Sequence, residues 1–149
     1  MTTTKDANAN ASVLGPEINH HGVCDGTFAR VMTDVSSLFD IVTVHYYFDS
    51  AACFDIGRFM DFYVLPNSQG KPVWLTEAGY NSCYAGGENT QSSAYNTILQ
   101  AFEPRRNSGW TSVFFYHLYD GQNCSYSVIR PDWTNRPAYD FYHSWIQSN

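Results

Sequence analysis

The sequence lacks a long apolar run, a basic cluster and an apolar leader. No stretch approaches the roughly 18 consecutive apolar residues of a membrane-spanning helix, and residues 1–11 are small and polar, unlike a signal peptide. With only 8 Lys and Arg and a net charge of −6, the chain has little to attract a phosphate backbone. We therefore expect neither a membrane nor a nucleic-acid partner. Secretion is compatible with the sequence, but no signal peptide marks it.

Charged residues make up only 15% of the chain, whereas aromatic residues reach 17%. Together with 44% hydrophobic residues, this is the composition of one globular domain. We expect a disordered polar tail over residues 1–11 and one folded domain over residues 12–149. Tyr and Trp rings offer apolar faces to sugars and polar tips to hydroxyls, although an ordinary core accounts for most of these aromatics.

No paired Cys-x-x-Cys metal motif is present among the four cysteines. Their even number suits disulfides in an exported protein, with free thiols as the alternative. His20 and His21 are adjacent, and adjacent side chains in an extended segment point to opposite sides. We expect a polar loop there rather than a metal site, and we predict neither a metal nor a cofactor.

Short apolar runs alternate with helical patterns along the chain. The runs are rich in β-branched and aromatic residues with little polar alternation, which is typical of parallel strands covered on both faces. This order predicts an α/β fold with a parallel sheet, outer helices and four β/α units. The predicted strands lie within residues 12–17, 40–47, 72–80 and 111–120, and the predicted helices within 27–39, 55–65, 91–102 and 137–146.

Polar side chains gather where the predicted strands end. In parallel sheets the carboxyl ends of the strands share one face, where chemistry concentrates. Glu77 follows the apolar run Val73-Trp74-Leu75, and spacing alone is equally consistent with a structural glutamate bonded to a loop. The strand ends carry Glu17, then His45, Tyr46 and Tyr47, then Glu77, then Tyr116, His117 and Asp120.

The sequence KPVWLTEAGY resembles the seventh strand of clan A glycoside hydrolases, in which a Thr-Glu-x-Gly string carries the nucleophile. DIVTVHYY resembles the sixth strand of that clan, VFFYHLYD with the later Arg-Pro-Ala-Tyr the eighth strand and final helix, and SVLGPEI the fifth strand. The resemblance covers about residues 13–145. It implies half of a TIM barrel, strands five to eight, with Glu77 as the nucleophile.

The resemblance implies a small glycoside hydrolase acting on β-linked glucosides, xylosides or their oligosaccharides. His45 either tunes the Glu77 carboxylate by hydrogen bonding or is an ordinary half-buried histidine. Phe115 stands where the family presents a Trp under the sugar. The expected substrate-binding residues are His45, Tyr46, Tyr47, Tyr80, Phe115, Tyr116 and His117.

The family's acid/base residue has no counterpart, because the sequence contains no Asn-Glu pair. Glu17 is the best substitute. Two strands from Glu77 in a closed barrel, it is expected beyond the roughly 5–5.5 Å of retaining pairs and nearer the roughly 6.5–9.5 Å of inverting pairs. The alternatives are a carbohydrate-binding or catalytically inactive half-barrel, and a fragment without an independent role.

Four β/α units leave two unpaired sheet edges and an apolar inner face. Either a homodimer completes a barrel, or the small sheet packs its own aromatics as an open domain. On the carboxyl side of the sheet we expect two loop-to-loop disulfides, Cys83–Cys124 and Cys24–Cys53.

Overall fold

The computed structural model describes residues 8–48 and 54–149, which form one four-stranded sheet flanked by helices. All strands are parallel and pair in the order β1-β2-β3-β4, which confirms the predicted α/β class and its four β/α units. The elements are β1 (Leu14–Asn19), α1 (His20–Cys24), α2 (Thr27–Val35), β2 (Ile41–Tyr47), α3 (Ile56–Arg58), β3 (Val73–Gly79), α4 (Gly87–Phe102), β4 (Trp110–Phe115) and α5 (Pro137–Ser148). Tighter or wider turns follow several helices, at Ser36–Leu38, Phe59–Val64, Leu65–Asn67 and Glu103–Arg105.

Alternation along the central strands separates the core from the functional face. Val42, Val44 and Tyr46 of β2 are buried in the core between the sheet and the helices. Since successive side chains in a strand point to opposite faces, His45 and Tyr47 lie on the other face of the sheet. That inner face is the one that a closed barrel would enclose.

The helices contribute the apolar stripes that their spacing predicts. In α2, Phe28 and Met32 are one turn apart and fully buried. In α4, Tyr95, Ile98 and Phe102 are buried in the same way. This helix begins four residues before the predicted start and ends, as predicted, at the turn that contains a proline.

The fourth strand is shorter than predicted. It ends at Phe115, whereas the sequence pattern continued to about residue 119. Beyond it, the carbonyls of His117 and Leu118 accept hydrogen bonds from Val128 (3.2 Å) and Ile129 (3.0 Å) respectively. The chain therefore leaves β3 and pairs with its own returning loop. The third strand, by contrast, extends to Gly79, close to its predicted end. Glu77 therefore lies within a strand.

Each outer strand of this sheet has one neighbour among the described residues, β2 for β1 and β3 for β4. Large apolar side chains are exposed on and near β4, namely Phe114 (47%), Leu118 (60%) and Ile146 (54%). A barrel whose interior side chains just fill the space needs about eight strands. The four-stranded parallel sheet is consistent with half of such a barrel.

A buried arginine connects the loops that follow β3 and β4. Arg136 is fully buried, and its guanidinium donates to the Ser82 hydroxyl (2.9 Å), the Glu88 carboxylate (3.0 Å) and the backbone carbonyls of residues 122–123 (3.1 Å each). The other Glu88 oxygen accepts from Arg130 at 2.5 Å. We call Glu88, Arg130 and Arg136, with these partners, the loop network.

A disulfide joins the same two loops. Cys83 and Cys124 are bonded with their Cα atoms 5.0 Å apart, which confirms that predicted pair. The other predicted pair, Cys24–Cys53, includes a residue outside the described ranges and stays a prediction.

Replacing Glu88 by Gln should destabilise the fold by about 2 kcal/mol, because the buried Arg136 guanidinium would lose its counter-charge. The free energy of urea unfolding at pH 7 measures this. Glu103→Gln is the matched control, since Glu103 and Arg106 form an exposed pair at 3.7 Å worth at most about 1 kcal/mol. Equal losses in the two variants would contradict the role of the loop network.

The Glu88 contribution should also depend on pH. The Arg130 guanidinium holds the pKa of Glu88 below its usual range, with Arg136 adding to the effect. A carboxyl with a lowered folded-state pKa stabilises the fold above its ordinary pKa and loses this contribution as pH falls through the folded value. The difference in the free energy of unfolding between wild type and Glu88→Gln should therefore become smaller as the pH is lowered into the acid range.

Candidate active site

One imidazole lies between two carboxylates on the inner face of the sheet. His45 Nε2 is 2.5 Å from Glu17 Oε2, and His45 Nδ1 is 3.5 Å from Glu77 Oε2. The His45 side chain is 16% exposed, while those of Glu17 and Glu77 are 50% and 36% exposed. The carboxyl ends of β1, β2 and β3 thus meet at this histidine, as their parallel alignment requires. We refer to this end of the sheet as the carboxyl edge.

An irregularity in β1 aims Glu17 at the histidine. The register between β1 and β2 shifts between Pro16 and Ile18, and Glu17 between them has a φ of 59°. Its backbone N–H donates to the Thr43 hydroxyl at 3.1 Å. A left-handed backbone costs a residue with a side chain roughly 1 kcal/mol, and outliers of this kind concentrate at functional sites.

Tyr47 holds the second carboxylate. Its hydroxyl donates to Glu77 Oε2 at 2.5 Å. Burial raises the pKa of Tyr47, and the neighbouring Glu77 carboxylate raises it further. The phenol therefore stays protonated through the neutral range and remains a hydrogen-bond donor to Glu77.

Two more tyrosines complete the wall beside Glu77. The Tyr47 ring meets Tyr126 at 4.9 Å and Tyr116 at 6.3 Å, both edge to face. Tyr116 is 41% exposed, so the wall presents an aromatic surface to solvent next to the carboxylate. Such rings suit the apolar face of a sugar while their hydroxyls suit its polar groups.

Two of the predicted substrate-binding residues lie elsewhere. Tyr46 is buried on the helix side of the sheet, where its hydroxyl donates to the Phe54 carbonyl at 2.8 Å. Phe115 stacks on Tyr95 of α4 at 3.8 Å. Each is adjacent in sequence to a residue of the inner face. Because side chains alternate along a strand, its own side chain points to the opposite, helix-covered face. The structure does not bring them to the group around Glu77.

The predicted residues Tyr80 and His117 lie in the loops at the carboxyl edge. Tyr80 donates its hydroxyl to the Ala85 carbonyl at 2.6 Å, within the loop that follows β3. His117 Nε2 is 3.5 Å from Asp120 Oδ2. These contacts are made within the loops and not to Glu77.

Sequence reasoning did not single out the residues that support the site from other elements. Tyr126, in the loop after β4, is one of them. Gln91 is fully buried, and its amide nitrogen lies 3.1 to 3.2 Å from the carbonyls of Tyr80, Ser125, Tyr126 and Ser127. A glutamine on the polar first turns of a helix reads as a surface residue. Nothing in the sequence around Gln91 indicates its partners, because they lie in other parts of the chain.

The adjacent histidines form part of a short helix, so the predicted polar loop is wrong. Asn19 caps α1 by accepting from the Gly22 N–H at 3.1 Å, and His20 is buried at 2% exposure with its Nδ1 accepting from the Tyr47 N–H. Within residues 8–48 and 54–149, no group of three or more His, Cys, Asp or Glu side chains is placed to hold a metal ion. No helix in these ranges has the length and apolarity to cross a membrane.

Comparison with known proteins assigns the chain to a family. The model of the family described as glycosyl hydrolase catalytic core matches residues 2–135, and the chain belongs to this family. A search of the curated proteins found no match. The family match supports a glycoside hydrolase-type domain, and with it a carbohydrate as the class of substrate.

The ionisation of Tyr47 offers a test of the site geometry. Because its pKa is raised above the ordinary value of 10.0, Tyr47→Phe should leave unchanged the rise in phenolate absorbance near pH 10. Spectrophotometric titration with circular dichroism to monitor folding measures this. Loss of one tyrosine's share of the absorbance step in the variant would show that Tyr47 is not held by burial and Glu77.

Proposed function

We propose that this member of the glycosyl hydrolase catalytic core family hydrolyses β-linked glucosides, xylosides or their oligosaccharides with Glu77 as the nucleophile. The observation that carries the proposal is the setting of Glu77. Its carboxylate lies at the carboxyl edge, 36% exposed, with Tyr47 donating to Oε2 and His45 beside the same oxygen. A carboxylate oriented by two neighbours and open to solvent is prepared to attack a bound substrate.

In the proposed reaction an oxygen of Glu77 attacks the anomeric carbon while the bond from that carbon to the leaving oxygen breaks. The leaving oxygen takes a proton from an acid, and water then releases the sugar from Glu77. The Tyr47 phenol keeps the carboxylate oriented through these steps. The wall of Tyr47, Tyr116 and Tyr126 offers the sugar an aromatic surface.

Glu17 is the proposed acid. It is half exposed and shares His45 with Glu77, so both carboxylates face one cleft. The His45 ring lies between them, and a separation of roughly 5–5.5 Å would suit a retaining pair, whereas roughly 6.5–9.5 Å would suit an inverting pair. The configuration of the first sugar product, followed by NMR, therefore tells whether Glu77 attacks the sugar or activates a water.

The second candidate function is carbohydrate binding without turnover. It is favoured by the engagement of Glu17 with His45 at 2.5 Å and by the absence of an Asn-Glu pair from the sequence. In that case Glu77 and Tyr47 would hydrogen-bond sugar hydroxyls. Sugar binding with no hydrolysis of any substrate would support this alternative.

Glu77→Gln should lower kcat/KM for aryl β-glucosides and β-xylosides at least about a hundredfold, because the reactive carboxylate is removed. Aryl leaving groups need little acid assistance, so Glu17→Gln should affect them less than it affects unactivated disaccharides. Glu103→Gln, at the far end of α4, is the matched control and should keep its activity. Unchanged hydrolysis in Glu77→Gln would refute the assignment.

We also propose that two copies of the chain associate through their sheet edges. Four strands are half of the number at which a barrel interior is just filled, about eight. A two-fold axis along the barrel would place β1 of one copy beside β4 of the other, with every strand parallel. The exposed side chains of Phe114, Leu118 and Ile146 near β4 would then gain an apolar environment.

Light scattering at micromolar concentration should give the mass of two chains. Val113→Pro, in the edge strand β4, should favour the monomer, because proline removes a backbone donor and disrupts strand pairing. Circular dichroism checks that the variant folds. A monomeric wild-type protein would overturn the association.

A further inference from the structure

A stacked aromatic pair projects from the loop between β4 and α5. The rings of Tyr119 and Trp133 lie 4.3 Å apart and within 8° of parallel. Trp133 is 71% exposed and Tyr119 36% exposed. Tyr119 covers one face of the indole, which leaves the opposite face open to solvent. We call these two residues the aromatic pair.

The loop that carries Trp133 is held in place by hydrogen bonds. The Trp133 N–H donates to the Arg130 carbonyl at 2.9 Å, and the Arg130 N–H donates to the Thr134 carbonyl at 2.9 Å. Asp132 Oδ1 accepts from both the backbone N–H (3.0 Å) and the hydroxyl (2.6 Å) of Thr134. Arg130 in turn is bound by Glu88 of the loop network. The indole is therefore presented on a fixed support.

The backbone of Trp133 is unfavourable for its residue type. Its φ is 66°, in the left-handed region that bulky residues rarely adopt. Neither burial nor backbone preference explains a tryptophan at this position, since the ring is mostly in water. Exposed aromatic surface on a rigid, strained loop is typical of binding sites.

We propose that the aromatic pair is a secondary binding platform for a neutral β-glycan chain, with a pyranose ring lying on the open face of Trp133. This rests on the proposed function, because it gives the glycan bound at Glu77 a further contact. The loops after β3 and β4 both begin at the carboxyl edge, so one extended chain can lie along that edge. The platform binds sugar and takes no part in the chemistry.

The surroundings of Trp133 fit a neutral glycan. The indole offers a flat apolar face to the C–H groups of a pyranose ring, and Asp132 and Thr134 on either side are exposed and carry oxygens for its hydroxyls. The chain has a net charge of −6, which disfavours polyuronates and other anionic polysaccharides. Rigid aromatic side chains lose little conformational entropy when they bind.

Binding of cellohexaose, laminarihexaose and xylohexaose by calorimetry tests the platform. Every variant carries Glu77→Gln, so that the oligosaccharides are not consumed. Trp133→Ala should weaken binding of at least one hexasaccharide by about threefold to tenfold, and Trp133→Phe should restore most of it. Phe62→Ala is the matched control, because Phe62 is also 69% exposed but lies in the helical segment between β2 and β3. Thermal unfolding verifies that each variant is folded.

The outcomes separate the platform from the proposed function. Unchanged affinity in Trp133→Ala, an equal loss in Phe62→Ala, or no binding of any hexasaccharide overturns the platform. Hydrolysis of aryl glycosides by the wild type then decides the role of Glu77 on its own. Trp133-dependent binding without any hydrolysis supports the platform and refutes the hydrolase.

Discussion

The arrangement at the carboxyl edge depends on one buried cation. The Arg136 guanidinium lies where the loop after β3, the first turn of α4 and the loop after β4 converge, and it donates to a group in each. A fully buried charge is tolerated only when it is paired and hydrogen-bonded. Glu88 provides the opposite charge, so the loops must assume positions that satisfy this arginine. The disulfide and the Gln91 amide fasten the same loops.

With the loops fixed, the parallel sheet brings chemistry to one point. Glu17, His45 and Glu77 come from three neighbouring strands, and none could be near the others without the register of those strands. The tyrosine wall adds a residue from β2, one that directly follows β4 and one from the loop held by Gln91. Side-chain alternation along the strands divides the remaining roles. Tyr46 and Phe115 pack against the helix layer, while their sequence neighbours face the cleft.

Local patterns in the sequence were sufficient for the strands, for the apolar stripes of α2 and α4, and for the convergence of Glu17, His45, Tyr47 and Glu77. They failed where a partner distant in the chain decides the structure. The end of β4 depends on hydrogen bonds from Val128 and Ile129. The position of Phe115 on the helix side depends on its stacking with Tyr95, 20 residues earlier in the chain. Arg136 and Gln91 resemble ordinary polar residues until their partners are seen.

The position of Arg136 in the chain also bears on biosynthesis. A nascent polypeptide leaves the ribosome from its amino terminus, and its early segments can begin to fold before later ones exist. Each group that Arg136 binds, from Ser82 to residue 123, is translated before it. The four strands of the described residues all lie before residue 116, whereas Arg136, which holds the loops around Glu77, comes later in the sequence. A chain cut short between residues 116 and 135 would therefore contain Glu77 without the buried cation that holds the surrounding loops.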